Sequence, residues 1–219
     1  MLKKGDPENF RQTKVKVENP GIPMAYTLEQ QQAILRFLKS SQSYGHYHDL
    51  VKFFLLTGCR TSEALGLQWK HIDFERKSIY LVESLATQRD GSLIRKSTKT
   101  GKGRVFNMTV AIEAMLRERV ELLGRDPEGL VFPAPRGGII NRRSFSRHCW
   151  RACRDAVGIE WIPRQTTQYK TRHSAISRAL ASGVDPVAVA AQTGHDVRTL
   201  YDNYVGVIRR VEIPGLDDE

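Results

Sequence analysis

Residues 169–204 read YKTRHSAISRALASGVDPVAVAAQTGHDVRTLYDNY, and the punctuation of this stretch predicts three short helices in succession. The first runs from Thr171 to Ser182. The second opens at Asp185, whose carboxylate suits the free N–H groups of a first turn, with Pro186 where a helix needs no amide hydrogen. Gly194 ends it in a tight turn carrying His195, and the last helix passes through Tyr201 and Tyr204. Residues three apart share a helix face, so both tyrosines can pack against a core. Position alone does not mark either as reactive.

Upstream, Thr27 and Gln30 in TLEQ match a capping box ahead of Ile34, Leu35 and Leu38. A second apolar helix, HDLVKFFLLTG, is stopped by Gly58, and a short third lies in TSEALGLQW. SIYLVES alternates and predicts one strand. IRKSTKTGKGRVFNM predicts two short strands around a Thr-Gly-Lys-Gly turn, paired as a β-hairpin. Thr109–Leu123 has helical periodicity, DPEGLVFPAPRGGIINR is irregular, and RSFSRHCWRACRDAVG is a two-faced helix. Its apolar stripe is Phe145, Cys149, Ala152 and Ala156; its basic stripe is Arg147, Arg151 and Arg154. The order gives an α+β class: a mostly helical domain with a small antiparallel sheet and a β-hairpin.

The chain has 219 residues, 40% of them hydrophobic, enough for one sizeable core with extended ends. Residues 1–24 are basic and proline-interrupted and read as a linker or arm; 25–206 form the domain, and 207–219 a tail. Three cysteines do not make a disulfide framework and fit a reducing cytoplasm. Apolar runs are too short for a membrane span. The 34 Lys and Arg against 24 Asp and Glu, a net charge of +10, point to a polyanionic partner, nucleic acid ahead of a membrane.

Several side chains can carry chemistry. Arg60, between two helices, needs a partner if buried. Glu63 either forms a structural ion pair with it or orients it towards a phosphate. Arg172 opens an apolar helix, and its neighbour His173 reads as a core histidine. Arg95, Lys96, Lys99, Lys102 and Arg104 make a basic patch on the hairpin, which reads as solvated and facing DNA. Cys149 and Cys153, with His148, have a spacing that could suit a metal but read as buried residues of the apolar face; neither metal nor cofactor is implied.

Together and in this order, TGCRTSEALGLQWKHID, TKTGKGR and YKTRHSAISRALASGVDPVAVAAQTGHDVRTLYDNY resemble the catalytic domain of tyrosine recombinases, the phage integrase family. The resemblance implies that Arg60 and Arg172 clamp a phosphate, Lys99 on the hairpin is the acid, His195 is a phosphate ligand and Tyr204 is the nucleophile. Glu63 and His173 take supporting places. The family usually has histidine three before the second arginine, where this chain has Tyr169; tyrosine can donate to a phosphate oxygen but is a poor proton acceptor at neutral pH. A further helical clamping domain normally precedes the catalytic one, joined by a linker such as residues 1–24.

The reaction so implied is metal-independent, site-specific cleavage and rejoining of double-stranded DNA through a 3′-phosphotyrosyl link. Fixed arginine donors stabilise the charge growing on the phosphate, and a lysine protonates the leaving 5′-oxygen. Arg147, Arg151, Arg154 and Lys170, with the hairpin, would hold the backbone without naming a sequence. A homo-tetramer on DNA, monomeric when free, is the expected assembly. Two rivals stand beside this reading. VDPVAVAAQTGHDVRTLYDNYV also scans as the helix-turn-helix of a non-catalytic regulator, and a type IB topoisomerase would use the same chemistry without joining two sites.

Overall fold

The computed structural model describes residues 25–88, 92–97, 103–160, 167–204 and 206–208. The chain opens with α1 (Leu28–Ser40), where Thr27 and Gln30 close the expected capping box. Helix α2 (His48–Thr57) follows and ends at Gly58, whose φ of 61° is left-handed backbone that a Cβ disfavours. Next come α3 (Thr61–Leu65) and strands β1 (Ile72–Asp73), β2 (Ser78–Leu81), β3 (Glu83–Thr87), β4 (Leu93–Ser97) and β5 (Arg104–Asn107). The remainder is helical: α4 (Val110–Leu123), α5 (Arg142–Ser144), a π-helical turn (Phe145–Trp150), α6 (Arg151–Ala156), α7 (Lys170–Ala181), α8 (Pro186–Thr193) and α9 (Val197–Tyr204). The α+β class with helix dominant stands, and Asp185 caps α8 as its sequence requires, accepting from the N–H groups of Val187 and Ala188.

Pairing of the strands differs from expectation. SIYLVES is not one strand: it breaks at the exposed Val82, and its halves join different sheets. Nor do the two strands of IRKSTKTGKGRVFNM pair with each other. β4 pairs antiparallel with β3, while β5 pairs with β2 in a three-stranded sheet of order β1-β2-β5. Burial explains the partition. The β2–β5 register sets Ile79 opposite Phe106, and both enter the core, whereas Leu93 and Arg95 of β4 are exposed. A strand with a buried face is held in register by that face.

The basic helix departs in another way. Its middle turn is π-helical, so each hydrogen bond spans one residue more than in an α-helix and the buried stripe advances. Phe145, Cys149 and Cys153 are buried at spacings of four; Ala156 is exposed, and Arg154, expected on the solvent stripe, is only 6% exposed.

The main core gathers Ile34 and Leu38 of α1, Phe53 and Phe54 of α2, Ile79, Phe106, Leu116 of α4, and Phe145 with Trp150. Each such side chain contributes roughly 1.5–3 kcal/mol on burial. A smaller cluster ties the last three helices together through Ile176, Leu180, Val189, Ala190, Leu200 and Tyr204. Helix α7 packs on α2 and α8 on β5. These two contacts bring the end of α2, the start of β5 and the turn after α8 to one place.

Candidate active site

At that place two guanidinium groups grip one carboxylate and a third lies near them. Glu63, 1% exposed on α3, accepts from the Arg60 backbone N–H at 2.7 Å and from Arg60 Nη1 at 3.0 Å. It also receives both Nη groups of Arg104, at 2.8 and 2.7 Å. Burial opposes ionisation of Glu63, but the hydrogen bonds and charges of Arg104 and Arg60 outweigh it and hold the carboxyl below its usual range. Arg60 thus forms the ion pair and is also oriented by it, because its second Nη donates 2.8 Å to the carbonyl of Gly194, in the turn after α8.

Arg172 arrives from α7. It is 2% exposed, donates Nη1 to the Gly58 carbonyl at 2.6 Å and Nη2 to His195 Nδ1 at 3.0 Å. Its Nε is buried with no hydrogen-bond partner among the described residues. Burial first, then the neighbouring Arg60 and Arg104, pulls its pKa below the usual arginine value. A guanidinium only donates; Nδ1 of His195 is its nearer acceptor, Nε2 lying 3.4 Å away, and acceptance by Nδ1 leaves the ring proton on Nε2. Burial, then Arg172 and Arg60, pushes His195 down to about 3, so its ring is neutral at pH 7. Thr193 Oγ1 lies 3.1 Å from the same Nδ1, but its one proton goes to the Val189 carbonyl at 2.6 Å.

The two tyrosines part company. Tyr201 is 43% exposed and Tyr204 1%. The hydroxyl of Tyr204 lies 2.5 Å from Nδ1 of His173, the residue after Arg172. Burial raises the phenol above its usual pKa, with Arg172 opposing in part. His173 is not merely a core histidine; burial, then Lys170 and Arg172, pushes it down to about 4 and keeps it neutral. Tyr169 is 41% exposed, with its ring edge on to His173 at 5.6 Å between centroids.

Arg104 corrects the sequence reading. It is not part of a solvated patch: its side chain is 11% exposed, gripped by Glu63 and donating Nε to the Gln192 carbonyl at 2.7 Å. A signal was present in the alternation, since Arg104 is two residues before the buried Phe106 and shares its face. The group also explains a glycine. Gly194 has φ 72°, and a Cβ there would lie 3.1 Å from Arg104 Nη1. Arg95 donates to the Gly66 carbonyl at 2.7 Å and to Glu83 at 3.3 Å, and Lys96 is exposed. Lys99 and Lys102 lie outside the described residues. Arg147 and Arg151 stand exposed beside a cavity of about 670 Å³, which the buried Arg154 also lines; Lys170 is half-buried at the start of α7. Cys149 and Cys153 are both buried, as read.

Comparison with known proteins agrees with this architecture. The sequence model of the Phage integrase family matches residues 26–208. The chain is 28% identical over 151 residues to tyrosine recombinase XerD of Mycobacterium leprae (strain TN), covering 67% of this chain and 43% of that protein. It is 29% identical over 199 residues to an integrase of Streptomyces ambofaciens, covering 80% of this chain and 47% of the relative. These matches span less than half the length of either relative. Among solved structures, the Tn1549 transposon integrase in complex with circular intermediate DNA superposes with a TM-score of 0.72 at 21% identity, over 83% of this chain and 62% of that one. The catalytic domain of bacteriophage HP1 integrase gives 0.55 at 18% identity, over 84% and 88%.

Proposed function

The chain belongs to the phage integrase family, and from that premise we propose that it is a DNA strand transferase, a site-specific recombinase that cleaves and rejoins duplex DNA through a 3′-phosphotyrosyl intermediate. One observation carries the reading. Arg60 and Arg104 share a single carboxylate, Arg172 stands near them bonded to Gly58 and His195 instead, and its buried Nε–H stays unanswered among the described residues. Such an excess of positive charge in a largely buried place is costly unless an anion answers it. A phosphodiester supplies that anion, and a transition state with more charge on its oxygens supplies a better one.

In this mechanism Arg60 and Arg172 hold the non-bridging oxygens, Nε2–H of His195 donates to one of them, and Tyr204 Oη attacks phosphorus. Tyr169, at the mouth of the site, donates its hydroxyl to the phosphate rather than accepting a proton. Lys99 protonates the departing 5′-oxygen. Arg95, Lys96, Lys102, Arg147, Arg151 and Lys170 grip the backbone around the cleavage point. Residues 1–24 serve as an arm, 25–206 as the catalytic domain and 207–219 as a tail, four copies assembling on DNA from monomers. The place of action is the cytoplasm, where the DNA is. Among the described residues no helix is long and apolar enough to cross a membrane.

The test is a pool of duplexes of randomised sequence, each nicked so that cleavage releases a short fragment and traps the adduct. Wild type forms SDS-resistant adducts whose DNA, once sequenced, shares a common motif. Adducts without a common motif, with relaxation of any supercoiled plasmid, indicate the topoisomerase; salt-sensitive binding and no adduct indicates the regulator.

A further inference from the structure

On the strand-transfer reading, we propose that His173 is the proton acceptor for Tyr204: its Nδ1, 2.5 Å from the phenolic oxygen, takes the hydroxyl proton as that oxygen attacks phosphorus. The reaction needs an acceptor at this point. A phenol buried to 1% exposure does not ionise ahead of attack, because burial disfavours the phenolate, so its proton leaves to a group already in contact. Tyr169 does not fill the role, since its own hydroxyl is as weak a base as the nucleophile it would serve. Position 173 lies one helical turn further along the same face, and its imidazole touches the reacting oxygen.

The surroundings set when the acceptor works. The groups facing His173 are Lys170 and Arg172 on its own helix, Tyr169 at that helix's start, His195 from the turn after α8, and Tyr204 from α9. Without DNA, burial and the two cations keep the imidazole neutral, so that Nδ1 accepts the Tyr204 hydroxyl rather than donating to it. The same cations oppose an imidazolium. A phosphate seated between Arg60 and Arg172 offsets them, so His173 becomes basic enough once substrate is bound. Proton transfer is thereby tied to occupancy of the clamp.

The step balances. The Oη–H bond breaks and its proton goes to Nδ1, giving an imidazolium, while an electron pair of Oη forms the bond to phosphorus. The P–O5′ bond breaks with its pair remaining on O5′, which takes a proton from Lys99. In rejoining, the 5′-hydroxyl returns its proton to the lysine, and the imidazolium returns its own to the phenolic oxygen.

The experiment measures single-turnover adduct formation by the 219-residue chain on the duplex recovered from the randomised pool, and on the same duplex with sulfur in place of the leaving 5′-oxygen. A leaving thiolate needs no proton, so sulfur compensates for a missing acid and not for a missing base. His173→Gln keeps a polar side chain that cannot take up a proton; its rate is expected to fall about 100-fold or more on both duplexes, with DNA affinity near that of wild type. His173→Ala is expected to regain rate when imidazole is added, which a misfolded variant does not do. Tyr201→Phe retains the wild-type rate. The proposal is overturned if His173→Gln reacts as fast as wild type, or if sulfur alone restores it. Adduct formation that survives Tyr204→Phe, or fails in wild type, overturns the strand-transfer reading itself, whereas a normal wild type with an unaffected His173→Gln removes only the role given to His173.

Discussion

Arg60 and Arg104 grip the buried Glu63 and Arg172 is held nearby by Gly58 and His195, whereas Arg147 and Arg151, the latter loosely paired with Asp155, stand exposed beside a cavity. All five are the same residue type in a chain of net charge +10. Their energetics differ because their surroundings do. In the interior an unanswered charge interacts strongly with its neighbours and with any entering anion; at the surface water and salt screen it within about 10 Å. The buried group is therefore suited to stabilising a particular charge distribution at one phosphorus, and the exposed one to holding any backbone that passes. The difference can be broken or sharpened by substitution on each side.

The largest effect is expected at Arg172. Arg172→Lys keeps the charge but loses the planar fork that reaches both Gly58 and His195. Adduct formation should drop about 10²–10³-fold, the usual loss for one fixed transition-state donor, while duplex affinity measured by fluorescence anisotropy changes little. An equal loss in both would mean that the buried arginines act like the surface ones.

Next comes Glu63→Gln. Removing the shared carboxylate leaves Arg60 and Arg104 uncompensated, and breaking a buried pair costs about 3–5 kcal/mol, readable as a lower urea midpoint at pH 7. The sign with pH is defined. The folded carboxyl titrates below its ordinary value, so its stabilisation is fully present above the unfolded pKa of about 4.3 and is lost as pH falls through the folded one. Glu63→Gln should remove that part of the acid limb; a limb unchanged by the substitution would assign it to other groups.

A smaller change is predicted for Gly194→Ala. A left-handed alanine costs about 1–2 kcal/mol, and its Cβ presses on Arg104. Thermal unfolding reports the first part, and slower adduct formation the displacement of His195. The smallest effect per residue belongs to the exposed pair. Arg147→Ala with Arg151→Ala should reduce the slope of log affinity against log salt by about 2, near 0.9 for each phosphate left without its cation, and leave the rate on bound DNA within a few fold.

The sequence made helices more legible than sheets. Thr27, Gly58, Asp185 and Gly194 act on backbone groups within a few residues, so the ends they imply are found where the sequence puts them. Strand pairing depends on partners far along the chain. Nothing within IRKSTKTGKGRVFNM states that its first half pairs backwards with β3 and its second with β2. The π-helical turn was hidden for a similar reason, as one added residue in a turn leaves composition unchanged while moving Arg154 inward. At the site, the pairing of Arg60 with Glu63 was open to local reasoning because it is a contact at i, i+3. The convergence of Arg60, Arg172 and His195 came through resemblance. The grip of Arg104 on Glu63 spans 41 positions in sequence, and the contact of His173 with Tyr204 spans 31; the alternation with Phe106 turns Arg104 inward, but nothing local names either partner.

The most direct measurement is to digest the trapped protein–DNA adduct with protease and locate the nucleotide-bearing residue by mass spectrometry. The account predicts a nucleotide 3′-phosphate on Tyr204 alone, the tyrosine buried beside the arginine cluster. Attachment to the solvent-facing Tyr201, to Tyr169, or to a serine would contradict it.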